Sequence, residues 1–275
     1  MRAAIFQTTT GIDPACNADA LAAAVANARA GGADMLFTPE MSGLIDRDRK
    51  RASASIRDEE SDPALAAVRH AAAKAGIWVH VGSLALAGGE GGRFVNRGFV
   101  IDDTGAIRAR YDKIHLFDVD LPTGESWRES AAYAPGARAV AVETPWGRIG
   151  LSICYDMRFP DLYRALSDAG ATILAVPAAF TVPTGRAHWH ILLRARAIEA
   201  GAFVIAAAQT GRHEDGRETY GHSLAIDPWG DVLLDMGGVP EIGFVDLDMA
   251  RIADVRGRVP ALAHRRPIGP AEVAA

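Results

Sequence analysis

The sequence predicts an α/β fold, with a mixed sheet or two packed sheets and helices on the outside. Apolar strand-like runs outnumber helical patterns by roughly twelve to five, and tight turns join some consecutive strands while helices join others. No repeat, low-complexity tract or Pro/Ser-rich linker interrupts the 275 residues, so residues 1–275 read as a single domain.

Residues 3–7 form the first buried strand. Residues 14–30 are an Ala-rich helix, with Asn17 and Asp19 near its start and Gly31-Gly32 stopping it. Met35-Leu36-Phe37-Thr38 is a short strand that ends at Pro39-Glu40. A carboxylate therefore stands at a strand's C-terminal end, where open α/β sheets gather their chemistry, unless it is a solvated loop charge. Residues 43–60 are charge-mixed and read as a surface loop or short exposed helix. Asp62-Pro63 caps a helix over 62–75, and 78–86 is the next strand. Gly88-Gly89-Glu90-Gly91-Gly92 leads to a strand over 93–101, and Asp103-Thr104-Gly105 turns into another over 107–111. Because strands follow them, these glycines make no phosphate-binding fingerprint.

Lys113 comes next, either snorkelling or held in a pocket, before a polar loop that carries Glu125 and Glu129. Residues 137–143 and 148–153 form a hairpin across Thr144-Pro145-Trp146-Gly147 that delivers Cys154. Pro160 then opens a helix through Asp161, Leu162 and Leu166, so the thiol sits at a strand-to-helix turn. Backbone N–H groups at such a turn lack intrachain partners and can stabilise a thiolate or an oxyanion. A buried, inert cysteine is the alternative. Beyond it lie a strand over 172–176, a loop over 177–185 and a helix from about 187 to 200. That helix has Ile191, Leu192, Ala195 and Ile198 on one face and Arg194, Arg196 and Glu199 on the other. A strand over 203–208, a polar loop over 209–220 and a hairpin over 222–226 and 232–234 follow. A strand over 241–245, a helix over 249–256 and an irregular tail complete the chain.

With 34 acidic and 29 basic residues, a net charge of −5 gives no positive field for nucleic acid or anionic lipid. No stretch approaches the ~20 apolar residues of a membrane span, and the N-terminal apolar run is too short for a signal peptide. Two cysteines make no disulfide framework, so a reducing cytoplasm is expected. The expected partner is a small molecule, with neither nucleic acid nor membrane.

Glu40, Lys113 and Cys154 each follow an apolar strand, and a layered fold can bring all three to one rim. A carboxylate can accept the thiol proton, the thiolate can attack an amide carbonyl, and an ammonium can stabilise the oxyanion. His115, His188, His190, His213 and His222 leave a Cys-His pair open as well. His188 and His190, two apart on a helix, do not share a face, so no zinc pair is expected there; no metal or cofactor is needed.

Pro39-Glu40, Asp112-Lys113-Ile114-His115-Leu116 and Cys154-Tyr155-Asp156-Met157-Arg158-Phe159-Pro160 resemble the three signatures of the nitrilase superfamily of carbon-nitrogen hydrolases. The likeness continues through Ala187-His188-Trp189, Leu193 to Glu199, Tyr220-Gly221-His222-Ser223, Asp227-Pro228-Trp229-Gly230 and His264-Arg265-Arg266-Pro267, and so covers nearly the whole chain. It implies an α-β-β-α sandwich that dimerises, or forms a higher homo-oligomer. It further implies Cys154 as nucleophile, Glu40 as general base and Lys113 as stabiliser of the tetrahedral intermediate, with the Tyr155 N–H in the oxyanion hole and Glu129 lining the site. His188 is expected in a supporting role, and Arg158 or Arg212 in anion recognition.

Within that family the sequence is most similar to the branch that hydrolyses deaminated glutathione, with conversion of an amide to an acid, or ammonia release, through a thioester. Next come ω-amidases acting on α-ketoglutaramate or succinamate. A nitrilase or carbamoylase, a Cys-His protease-like hydrolase and a partner-binding protein on the same fold are the further alternatives. Arg186 stands where these branches usually show proline, and His190 where they usually show glutamate.

Overall fold

The computed structural model describes residues 1–120 and 124–274. Its first sheet grows from β1 (Arg2–Gln7), followed by α1 (Pro14–Ala30) and β2 (Met35–Phe37), then α2 (Arg49–Ser55), α3 (Pro63–Ala75) and β3 (Trp78–Leu86). Strands β1, β2 and β3 are parallel, which requires crossover connections, and α1 and α3 supply them. Asp13 and Asp62 cap these two helices, each accepting a hydrogen bond from a first-turn N–H. Hairpin strands β4 (Val95–Ile101) and β5 (Ile107–Asp112) extend one edge. The last strand, β16 (Glu241–Asp246), closes the other, in the order β16-β1-β2-β3-β4-β5.

Between these come the small hairpin β6 (Asp118–Asp120) and β7 (Ser126–Arg128), then β8 (Val140–Thr144), β9 (Gly147–Leu151), α4 (Pro160–Asp168), β10 (Ile173–Ala175), α5 (Val182–Ala200) and β11 (Phe203–Ala206). A second small hairpin, β12 (Thr210–Arg212) and β13 (Glu218–Tyr220), precedes β14 (Leu224–Ile226) and β15 (Val232–Asp235), and α6 (Ala250–Arg258) follows β16. The second sheet has the order β15-β14-β11-β10-β9-β8, again with three parallel strands joined by helices, α4 and α5.

Strand alternation explains the layers. Ala3, Ile5, Met35 and Phe37 join one core with residues of the second sheet, whereas Ala4 and Leu36, one position out of phase, pack with Leu21, Val25, Leu65 and Val68 of α1 and α3. On the other side, Leu162, Leu166, Trp189 and Leu193 of α4 and α5 cover the second sheet. The result is the expected α-β-β-α sandwich.

Several local expectations change. The described residues hold sixteen strands and six α-helices, because the polar loops expected over 209–220 and after Lys113 fold into β12–β13 and β6–β7. In the second case, residues 121–123 lie outside the described ones. Leu44, Ile45 and Ile56, in the stretch read as a surface loop, are buried around α2. Helix α5 begins at Val182, within the stretch read as a loop, since Pro183 in its first turn gives up no intrahelical bond.

The packed face of α5 also differs. Trp189, Leu193, Ala197 and Ala200 form the buried stripe, leaving Ile191 at 70% and Ile198 at 53% exposure. Arg196 is buried on that stripe because Nε donates to the Met157 carbonyl at 3.0 Å, Nη1 pairs with Glu199 at 2.6 Å, and the guanidinium lies over Tyr163.

One glycine fixes how closely the two sheets approach. A Cβ at Gly82 would lie 2.1 Å from the Thr38 carbonyl oxygen and 2.5 Å from both the Pro39 oxygen and Pro177 Cβ. Only a bare backbone lets β3 run beneath the ends of β2 and β10, where Glu40 and the Cys154 turn meet.

Candidate active site

After β9 the chain passes Ser152 and Ile153 and enters a 3-10 turn over Cys154–Arg158. Cys154 has φ of 49°, a left-handed conformation that costs a non-glycine residue energy and is kept only where its surroundings impose it. Here the Cys154 N–H donates to the Pro177 carbonyl at 2.8 Å. Asp156, fully buried, accepts from Ile153 N at 2.9 Å, His115 N at 3.0 Å and the Tyr111 hydroxyl at 2.7 Å, and lies 2.7 Å from His115 Nδ1. These bonds tie the turn to β5 and to the segment that carries Lys113. The Tyr155 N–H is one of the first-turn amides for which a helix offers no acceptor.

Glu40, just beyond β2, is buried beside this turn. Its Oε1 accepts from Lys113 Nζ at 2.8 Å and Asn96 Nδ2 at 3.0 Å, and its Oε2 from Ala179 N at 2.8 Å. Lys113 is 2% exposed, so it is held in a pocket and does not snorkel. Its ammonium also meets both oxygens of Glu129, at 3.1 and 2.9 Å, and Glu129 accepts from Phe117 N at 2.7 Å. Asn96 Nδ2 reaches Glu129 as well, at 3.2 Å. One buried cation thus faces two carboxylates, with an amide bridging them.

Protonation follows from this arrangement. Burial pushes the Glu40 carboxyl up, but the Lys113 charge and hydrogen bond outweigh it and hold the group below the usual carboxylate range. Burial pulls the Lys113 ammonium down, while Glu129 and then Glu40 reverse this and leave it well above its ordinary value. The Cys154 thiol is pushed up by burial and then by the Glu40 charge. At neutral pH the site therefore holds a thiol, a carboxylate and an ammonium, and a thiol attacking a carbonyl here has a base beside it to take its proton.

Glu40, Lys113, Cys154 and Glu129 line one cavity of about 410 Å³, together with Asn96, Phe180 and the side chains of Trp127 and Arg217. No histidine lines it among the described residues, so the open Cys-His pairing is not formed. His115 is committed to Asp156 and stacks on Phe159. His213 is bonded to Thr10 and Thr219, while His190 and His222 share Asp235.

Other expected site residues fall outside the cavity wall. Tyr155 packs edge-on against Phe117 and Phe159, and Arg158 lies over Phe180 and contacts His188 at 3.3 Å, with His188 itself exposed. Arg212 is exposed at the end of β12. The cavity's guanidinium groups come instead from Arg47, Arg49, Arg128 and Arg217. Sequence reasoning missed Asn96 and Arg217. An amide within strand β4, a residue type depleted in strands, signals the first, and an Asp215-Gly216 turn between short strands signals the hairpin that carries the second.

The carbon-nitrogen hydrolase family model matches residues 2–257. Deaminated glutathione amidase of Yersinia enterocolitica is 39% identical over 237 residues, which cover 86% of this chain and 82% of that protein. Among solved structures, the C. elegans NitFhit protein superposes with a TM-score of 0.87 at 35% identity; the match covers 96% of this chain and 65% of the longer NitFhit chain. An amidase from Nesterenkonia sp. gives 0.78 at 30% identity, covering 94% of this chain and 95% of that one.

Proposed function

The chain belongs to the carbon-nitrogen hydrolase family and is a carbon-nitrogen hydrolase, and from that premise we propose that it is a cysteine amidase acting on deaminated glutathione through Cys154, Glu40 and Lys113. The observation that carries this reading is the meeting of Cys154, Glu40 and Lys113, all buried, on one cavity wall, with Lys113 Nζ 2.8 Å from Glu40 Oε1. The substrate comes from the likeness to the Yersinia amidase. Residues 1–275 act as one catalytic domain in this proposal.

In the first half-reaction the Cys154 sulfur attacks the amide carbon while its proton passes to Glu40. The oxyanion meets Lys113 Nζ and the Tyr155 N–H. Glu40 then returns the proton to the departing nitrogen, the C–N bond breaks, and a thioester remains. In the second, Glu40 takes a proton from water, the hydroxyl adds to the thioester carbon, and the acid and thiol are restored. A primary amide releases ammonia by this route. Deaminated glutathione, whose amide nitrogen carries the rest of the peptide, releases an amine instead. Glu129 holds Lys113 with both carboxylate oxygens while Lys113 also bonds Glu40.

The test is a comparison of kcat/KM, followed by acid formation, on deaminated glutathione, α-ketoglutaramate, succinamate, a simple nitrile and an N-carbamoyl amino acid. Deaminated glutathione should lead by tenfold or more, about 1.4 kcal/mol of preferential transition-state binding. A lead by α-ketoglutaramate assigns the ω-amidase reaction instead. No Cys154-dependent turnover of any of them refutes the amidase.

The proposed setting is the cytoplasm; no described helix is long and apolar enough to cross a membrane. The proposed assembly is a homodimer that covers Ile191 and Ile198 on the exposed face of α5. Sedimentation at twice the chain mass is expected, and a monomer at micromolar concentration would refute it.

A further inference from the structure

One part of the cavity carries charge that the hydrolytic residues do not use. Arg47 and Arg217 both line it, and both lie against the ring of Trp127, with guanidinium carbons 5.0 and 4.8 Å from its centroid. Three separate segments meet here. Arg47 precedes α2, Trp127 is on β7, and Arg217 follows the Asp215-Gly216 turn of the β12–β13 hairpin. The Arg217 side chain is only 18% exposed, and its Nε is buried with no hydrogen-bond partner among the described residues. Its neighbouring carboxylate, Asp215, stands 3.4 Å from Nη2, and Glu125 stands 4.0 Å from Arg47 Nη2. Both gaps exceed the 2.7–2.9 Å typical of a charge-assisted hydrogen bond.

Ordering two guanidinium groups so near each other brings like charges together, and a ring face compensates only part of that cost. A planar anion completes the arrangement, since the Nε/Nη edge of a guanidinium matches a carboxylate with two parallel bonds. The hydrolytic end of the cavity is the more negative, with Glu40 and Glu129 around the one charge of Lys113, whereas along the rest of the lining Arg47, Arg49, Arg128 and Arg217 outnumber Asp46, Glu125 and Glu218. An amide that carries a carboxylate is repelled at one end and held at the other, so the cavity accepts it in one direction.

We propose that Arg217 and Arg47, packed on Trp127, form a carboxylate-binding subsite that orients the substrate amide toward Cys154. The subsite rests on the amidase reading. Two carboxylates of deaminated glutathione have the required chemistry, one on the acyl part and one on the departing amine.

The test compares wild type with Arg217→Gln, Arg217→Lys and Arg47→Gln. The substrates are deaminated glutathione, α-ketoglutaramate with its carboxylate on the acyl part, and an N-acyl dipeptide with its only carboxylate on the departing amine. Each is paired with its methyl ester. Wild type should favour the acid over the ester. Arg217→Gln should lower kcat/KM for the acid by about ten- to a hundredfold and bring the acid-to-ester ratio toward one. Arg217→Lys should keep part of the ratio, because it keeps the charge and loses the fork. The substrate pair whose ratio collapses identifies the half that is held.

A loss of packing alone lowers both members of a pair together. Ratios equal to wild type for every pair in both Gln variants overturn the subsite while the amidase stands. Wild type inert on every substrate overturns both. Should Arg217→Gln fail to fold, Arg47→Gln, whose side chain is 43% exposed, decides by the same ratio.

Discussion

Cys154→Ala should fold as wild type does and lose amide hydrolysis by about 10⁵-fold or more, the scale seen when a nucleophile is removed from a preorganised site. Alanine keeps the Cβ at the left-handed position, so the strain of the turn is unchanged, and the bonds that impose it come from the Cys154 backbone and from Asp156. Only the sulfur, the proposed attacking atom, is lost. Cys16, the other cysteine, is exposed in the first turn of α1 and does not line the cavity. Initial rates on deaminated glutathione, with circular dichroism as the check on folding, measure the effect. Turnover within tenfold of wild type would mean that another group makes the bond to carbon.

Lys113→Met should cost both activity and stability. Removing the ammonium leaves Glu40 buried and Glu129 half-buried with Asn96 as their shared donor, and an uncompensated buried charge typically costs about 3–5 kcal/mol. The pH dependence should change sign with it. In wild type the Glu40 carboxyl is held below its ordinary value of 4.5, so it contributes stability above that pH and loses it as pH falls through the lower folded value. In the variant, burial without the cation raises the folded value above 4.5. The folded state then takes up a proton that the unfolded chain has released, and the deficit at pH 7 shrinks as pH falls toward 4.5. Urea denaturation at several pH values measures this. A deficit that does not change between pH 7 and the unfolded carboxylate range would mean that Glu40 does not depend on Lys113 for its charge.

The parts of this site visible in the sequence are those where one residue breaks a pattern. Glu40 stands at the end of an apolar strand, and Cys154 stands between a strand and the Pro160 that opens a helix; the ordered motifs around them point to their use. Partners that act across space left weaker marks. Asn96 stands next to Arg97 in β4, where two polar residues in a row give no clean alternation, and its meaning depends on two glutamates that sit 56 and 33 positions away. Arg217 lies on a hairpin whose strands are three residues each and largely polar, too short for periodicity to register. Hydrophobicity alone turns Ile191 and Ile198 of α5 inward. The sheet instead receives Trp189 and Leu193, and Arg196 becomes tolerable inside only through the Met157 carbonyl and Glu199. Arg158 and Arg212 were natural choices for an anion, but which arginine reaches a cavity is decided by tertiary contact.

Glu40 belongs to the end of a strand in the first sheet, yet one of its oxygens is held by the N–H of Ala179, just beyond β10 of the second; Tyr111 of the first sheet likewise holds Asp156 of the second. Partners separated by 139 and 45 residues must therefore find each other before Glu40 and Cys154 share a wall. Strands and helices alone leave the chain inert, because the first sheet needs β16 to reach β1 across most of the sequence and the site needs the second sheet besides. Recovery of catalysis is then expected to be a clock for the joining of the two sheets, no faster than the far-ultraviolet signal that reports their strands and helices.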